Sequence, residues 1–99
     1  MTIQHTVVFR LIHDPGSPEE TAFLADARTT LTGIPGVTRF AVNRQVSPKS
    51  HLAWQFSMHF ADQSAYDAYN AHPDHTGFVA TRWVPEVAEF QEYDFVPLA

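Results

Sequence analysis

Hydrophobic and polar residues alternate along residues 2–12, 37–46 and 51–60, and this period-2 pattern predicts three β-strands. A fourth strand is expected at residues 87–96, between Pro85 and Pro97. The third stretch alternates most regularly, and its apolar face is formed by Leu52, Trp54, Phe56, Met58 and Phe60. The first stretch has a similar face of Ile3, Val7, Phe9 and Leu11, with His5 as its one polar member. We therefore expect each of these two strands to bury one face.

Apolar residues at helical spacing predict a first helix over residues 18–31. Ser17 is a suitable N-cap for this helix, and Pro18 suits its first position because the amide hydrogen that proline lacks has no helical partner there. Asp62 can cap a second helix that reaches residues 69–71. Both predicted helices lie between pairs of predicted strands.

The second helical region is interrupted by Pro73. Proline lacks the amide hydrogen and clashes with the preceding turn, so the helix is expected to end near His72. Asp74 can cap a short further segment over residues 75–82, and Pro85 is expected to end that segment before the last strand. The sequence thus predicts a broken second helix.

The predicted order is β-α-β-β-α-β, which is typical of an α+β ferredoxin-like fold with a four-stranded antiparallel sheet and helices on one face. The chain shows no linker, repeat or low-complexity segment, so we expect a single domain over residues 1–99. The other face of the sheet would mix polar residues with Val8 and Ala53. A second copy packed against it would give a homodimer, a dimeric α+β barrel.

Composition and charge narrow the function. The chain has 99 residues, of which 44% are hydrophobic, enough for one folded core. A net charge of −5 without a basic run argues against nucleic acid as a partner. No cysteine is present, which excludes disulfides and thiolate chemistry. No apolar stretch is long enough to cross a membrane and no signal pattern is seen, so we expect a soluble cytoplasmic protein without a membrane partner.

Tyr69 and His75 lie on either side of the predicted helix break and can approach each other across it. A phenol and an imidazole in that arrangement suit acid–base chemistry, because the unperturbed pKa of histidine lies near neutrality. The pattern predicts a pocket at the break but names no substrate.

Several short motifs occur in an order that resembles the stress-responsive A/B barrel (Dabb) family, including its olivetolic acid cyclase-like members. The His72-Pro73-Asp74-His75 segment matches the HPxH signature of that family. The resemblance extends over nearly the whole chain, through residues 5–9, 34–37, 60–62, 77–78 and 93–95. It implies a dimeric α+β barrel.

The resemblance also implies roles for particular residues. Tyr69, His75 and His5 match the tyrosine and histidines of the cyclase site, and Asp94 matches the aspartate that supports the catalytic histidine. Trp54 stands where those cyclases have a further pocket histidine. His75 oriented by Asp94 would be a general base, and Tyr69 would donate to a developing enolate oxygen. This arrangement suits a cyclase or isomerase.

The substrate-binding wall is expected to be apolar, formed by Trp54, Phe56, Val7 and Phe78. We expect it to bind a hydrophobic, carbonyl-bearing small molecule. No organic cofactor is expected, because the chain lacks a phosphate-cradling glycine-rich loop and a flavin or nicotinamide fingerprint.

Two alternatives remain open at this point. The histidines could be structural residues of a non-enzymatic, stress-responsive or ligand-binding protein, with His75 buttressing the helix break and His5 a satisfied core residue. A metal could be shared by His72 and His75 with His5 or Asp74, but Pro73 breaks the helical register that such ligation would use, and we expect no metal. Histidines 51 and 59 are expected at a surface or interface, and glutamates 86, 89 and 92 at solvated or dimer-rim positions.

Overall fold

A computed structural model describes residues 1–99. The strands are β1 (Ile3–Leu11), β2 (Thr38–Arg44), β3 (Trp54–Phe60) and β4 (Val87–Phe95). The helices are α1 (Pro18–Thr32), α2 (Gln63–Ala71), α3 (Pro73–Phe78) and α4 (Val84–Glu86), and a π-helical turn at Val79–Trp83 joins α3 to α4. None of the helices combines the length and the apolar character needed to span a bilayer.

The four strands form one antiparallel sheet in the order β2-β3-β1-β4. Buried side chains of α1 belong to the same core cluster as Phe9 and Phe56 of the two central strands, so this sheet face is the one that the helices cover. The predicted ferredoxin-like α+β fold is therefore confirmed. β3 begins at Trp54, three residues later than predicted, and the ends of β2 lie inside the predicted stretch.

α1 closes its part of the core. Ser17 caps the helix by accepting a hydrogen bond from the Glu20 amide, as predicted. Phe23, Ala27 and Leu31 recur at helical spacing and are buried. After the helix, Gly36 has a φ of +92°, a value that favours glycine, and it turns the chain into β2.

The second helical region is broken at the predicted place but in a different way. α3 starts at Pro73, one residue after its N-cap His72, whose Nδ1 accepts from the Asp74 amide. The prediction of Asp74 as the cap was therefore wrong. The helical chain extends beyond the predicted residue 82, through the π-helical turn, to Glu86. It ends one residue after Pro85, and β4 begins at Val87.

The opposite face of the sheet carries a polar network. Gln4 donates to Ser57, and Gln55 donates to Thr6, across the β1–β3 pair. β4 forms one edge of the sheet, and almost all of its residues are exposed. Most side chains of the central strands β1 and β3 are thus buried, whereas most of those of β4 are exposed to solvent.

Candidate functional site

A cavity of about 410 Å³ lies between the sheet and the broken helical region. Eleven of its fifteen lining residues are hydrophobic, which gives it the apolar character of a small-molecule pocket. The apolar and aromatic lining consists of Val7, Leu31, Phe56, Met58, Tyr66, Tyr69, Phe78, Val79, Trp83, Val84 and Phe90. The remaining lining residues are His5, Asn70, His75 and Glu92.

Tyr69 and His75 meet across the helix break, with their ring centroids 4.5 Å apart. His75 Nδ1 lies 3.2 Å from the Asn70 carbonyl oxygen. Since a carbonyl oxygen can only accept, this contact makes Nδ1 the donor and leaves Nε2 with its lone pair free. The predicted approach of these two residues therefore exists in the fold.

Burial shifts the pKa values of both groups. Burial is the main cause that lowers the pKa of His75 below its ordinary value, and the nearby His5 ring acts in the same direction. Burial also raises the pKa of Tyr69 well above its ordinary value. Near neutral pH the cavity thus holds an unprotonated imidazole beside a protonated phenol, the forms that a base and a hydrogen-bond donor require.

Asp94 pairs with His5 instead of His75. The β1–β4 register places Asp94 directly opposite His5, and His5 Nδ1 lies 2.6 Å from Asp94 Oδ1. The predicted support of His75 by Asp94 was therefore wrong: the strand pairing brings the carboxylate to the other histidine. His75 is oriented by the Asn70 carbonyl oxygen.

Tyr66 completes this second group, and the sequence reasoning missed its role. Its hydroxyl donates to Asp94 Oδ2 at 3.0 Å and lies 3.0 Å from His5 Nδ1. Burial and the hydrogen bond to Asp94 raise the pKa of Tyr66 to about 12. Tyr66 precedes Tyr69 by three residues, a spacing that places both rings on one face of α2 and could have identified it.

Glu92 is solvent-exposed, as expected, but it also lines the cavity, which the sequence did not predict. It lies opposite Val7 in the β1–β4 register, so its side chain points to the helix-covered face. Its Oε2 is 3.8 Å from His5 Nε2. Period-2 alternation in β4 puts Phe90, Glu92 and Asp94 on one face, and this signal could have placed Glu92 from the sequence.

Trp54 does not line the cavity, although Phe56, Val7 and Phe78 do. Its indole Nε1 donates to the buried Glu20 at 3.0 Å, and the guanidinium of Arg44 lies 4.5 Å from its ring centroid. Trp54 shares a strand face with Phe56, but it lies at the start of β3, beside α1. Its predicted place in the wall was therefore wrong because same-face position does not fix position along the strand.

His72, His51 and Glu86 make contacts outside the cavity. His72 accepts from the Asp74 amide, and no group of three side chains in the chain is arranged to hold a metal ion. His51 contacts Glu89 at 2.6 Å on the exposed surface. Glu86 bridges His13 and Arg82, and Arg82 also pairs with Asp26 of α1. These contacts tie the π-helical turn to α1 and to the end of β1.

The family model of the stress responsive A/B barrel domain (Dabb) matches residues 3–97 of this chain. The chain belongs to this Dabb family. A crystal structure of a Dabb family protein with a ferredoxin-like fold from Mesorhizobium loti is 56% identical, with a TM-score of 0.98 and coverage of 99% of this chain and 98% of that chain. Comparison with curated proteins finds no significant match.

Two more distant structures share the fold of this Dabb domain. A dimeric ferredoxin-like protein of unknown function from Thermobifida fusca has a TM-score of 0.78 at 20% identity, with 98% of this chain and 92% of that chain covered. The hydroxynitrile lyase from Passiflora edulis has a TM-score of 0.83 at 12% identity, with 99% and 95% covered. At these identities the likeness concerns the fold alone.

Within this Dabb domain, the fold brings three of the four predicted catalytic residues to one cavity: His5, Tyr69 and His75. Asp94 does not line the cavity but contacts two residues that do, His5 and Tyr66. The arrangement offers two histidines, two protonated phenols and two carboxylates, with Glu92 facing the apolar space and Asp94 flanking it. Such a set can move a proton on a bound molecule without a further group.

Proposed function

We propose that this protein is a cofactor-independent enzyme that removes a proton next to the carbonyl group of a hydrophobic small molecule, as a cyclase or isomerase does. The observation that carries the proposal is the pairing of His75 with Tyr69 in the apolar cavity. An unprotonated imidazole can accept the proton, and a protonated phenol can donate a hydrogen bond to the enolate oxygen that forms.

In the proposed step, groups of the cavity accept both the proton and the negative charge that the substrate develops. The α C–H bond breaks, His75 Nε2 takes the proton, and the electron pair becomes an enolate whose oxygen accepts a hydrogen bond from Tyr69. Return of the proton from His75 to a different carbon or to the opposite face gives an isomer. Attack of the enolate carbon on a second carbonyl of the same molecule gives a ring, and the alkoxide that forms takes the proton from His75. His5, held by Asp94 and Tyr66, is a second polar contact for the bound molecule.

Proton abstraction can be measured without the natural substrate. We expect the protein to accelerate deuterium exchange at the α-carbons of 4-phenylbutan-2-one in D₂O, followed by NMR. His75→Gln should lower the accelerated rate about 10²-fold or more, and Tyr69→Phe should lower it to a comparable extent. His51→Gln is the matched control, because it removes an exposed histidine that does not touch the cavity.

A second candidate function is ligand binding without chemistry. It is supported by the same cavity, whose volume falls within the range of roughly 300–1,000 Å³ of small-molecule sites. If the ketone binds to the protein but exchanges no faster than in buffer, this second function replaces the first. If exchange is accelerated equally by wild type and His75→Gln, the assignment of His75 as the base fails.

We also propose that the protein is a homodimer, a dimeric α+β barrel, in which the uncovered sheet face of one copy packs on that of another. Two aromatic residues of β4 on the uncovered face, Tyr93 and Phe95, support an assembly, since each is about half exposed. The dimeric protein from Thermobifida fusca shares the fold. Sedimentation equilibrium should give twice the mass of one chain, and a single-chain mass would overturn this proposal.

A further inference from the structure

The cavity carries a marked imbalance of charge. No lysine or arginine lines it, and Glu92 is its one carboxylate. The other nearby carboxylate, Asp94, is engaged by His5 and Tyr66 and does not line the space. Glu92 therefore supplies the one fixed charge that a bound molecule meets directly.

Glu92 lies where the cavity opens to solvent. Its side chain is 59% exposed, whereas that of His5 beside it is 8% exposed. Its neighbour on the same face of β4, Phe90, is also half exposed and lines the cavity. A ligand that fills the apolar interior would place its outer end near this carboxylate.

The carboxylate of Glu92 is not used by the fold. It makes no hydrogen bond within the chain, and the nearest basic atom, His5 Nε2, is 3.8 Å away, beyond hydrogen-bond distance. Glu89 of the same strand contrasts with it, since Glu89 contacts His51 and Arg10 on the opposite face. Glu92 is thus free to interact with a ligand.

The charge of Glu92 is also felt inside the cavity. It contributes to the raised pKa values of Tyr66 and Tyr69, and it opposes the lowering of the His75 pKa by burial. An anionic group placed in the same space would be repelled by the same field, and a cationic group would be attracted.

We infer that Glu92 sets the charge selectivity of the cavity, favouring an amphiphilic ligand that places a protonated amine at the opening and rejecting one that places a carboxylate there. This inference rests on the proposed function and narrows its substrate class. The substrates would be neutral carbonyl compounds or amino ketones, and keto acids would be excluded. Specificity would arise by repulsion of the wrong ligand as well as by attraction of the right one.

Three probes of similar shape test the inference: 4-phenylbutylamine, 4-phenylbutanoate and the neutral 4-phenylbutan-2-one. We expect isothermal titration calorimetry at low salt to give about tenfold tighter binding of the amine than of the carboxylate to wild type. In Glu92→Gln the two affinities should differ by less than about twofold, and the affinity for the neutral ketone should change less than that for either charged probe. Added salt should reduce the wild-type preference.

Glu89→Gln is the matched control, because it removes the same charge from the same strand on the opposite face. If Glu89→Gln abolishes the preference as Glu92→Gln does, net charge is responsible and the inference fails. If the ketone binds but wild type does not discriminate between amine and carboxylate, the inference fails while the proposed function stands. If no probe binds, the proposed function fails and takes the inference with it.

Discussion

α1 is one unbroken helix of fifteen residues. The chain from Gln63 to Glu86 covers the same face of the sheet, but it is divided into three short α-helices and a π-helical turn. Beneath α1 the side chains interlock: Phe23 is fully buried and its ring lies 6.0 Å from that of Phe9. Beneath the broken region the helices leave a cavity of about 410 Å³. A regular helix closes the core, and an irregular one keeps space beside the sheet.

The two regions also treat glutamate differently. Glu20 of α1 is buried and accepts from both the Gly16 amide and the Trp54 indole. Glu92 lines the cavity under the broken helical region. Its carboxylate accepts no hydrogen bond from the backbone or from a side chain. The carboxylate of Glu20 therefore serves the fold, while that of Glu92 is left available for a ligand.

The largest expected effect lies under α1. Phe23→Ala should lower the free energy of unfolding by about 3–5 kcal/mol, because it removes a fully buried ring and leaves a void in a tightly packed region. Phe78→Ala should cost less, since Phe78 already borders the cavity on one side. Urea denaturation of both variants measures the difference. Equal losses would contradict the contrast between a closed and an open region.

A smaller effect is expected at Glu20. Glu20→Ala should lower the free energy of unfolding by about 1–3 kcal/mol, because the Trp54 indole would keep a buried donor without an acceptor. Glu19→Ala in the same helical turn is the control, since Glu19 is exposed. Glu92→Gln should leave the stability nearly unchanged. A Glu92 variant as unstable as the Glu20 variant would mean that Glu92 is structural.

The smallest expected effect concerns pH. Burial lowers the pKa of His75 in the folded state below its unfolded value of 6.5, so the unfolded chain binds a proton more readily. The stabilisation by neutral His75 is therefore present above pH 6.5 and is lost as pH falls through the lower folded pKa. His75→Gln should reduce the loss of stability on acidification, as measured by thermal unfolding between pH 7.5 and 5. An unchanged pH dependence would contradict the burial of His75.

Local patterns predicted most of the architecture. Alternation located β1, β2 and β3, and the capping signal at Ser17 located α1, because these features depend on neighbouring residues. The flanking residues Pro85 and Pro97 located β4. Pro73 predicted the helix break and with it the approach of Tyr69 to His75. The fold class followed from the order of the elements and is confirmed by the sheet topology.

The contacts that the sequence did not predict depend on tertiary register. Asp94 meets His5 because the β1–β4 pairing places them opposite each other, a fact that no local pattern contains. Trp54 is directed to Glu20 by the position of α1 along β3. The π-helical turn at Val79–Trp83 corresponds to none of the local patterns in the sequence.

The π-helical turn at Val79–Trp83 has a consequence for how length changes in the chain would act. Its closing hydrogen bond runs from the Val84 amide to the Val79 carbonyl, five residues back, so it holds one residue more than an α-helical turn. Deletion of one residue here would restore α-helical winding and rotate Val79 or Trp83 out of the cavity lining. A single-residue indel at this turn could therefore remodel the ligand space more than many point substitutions in its wall.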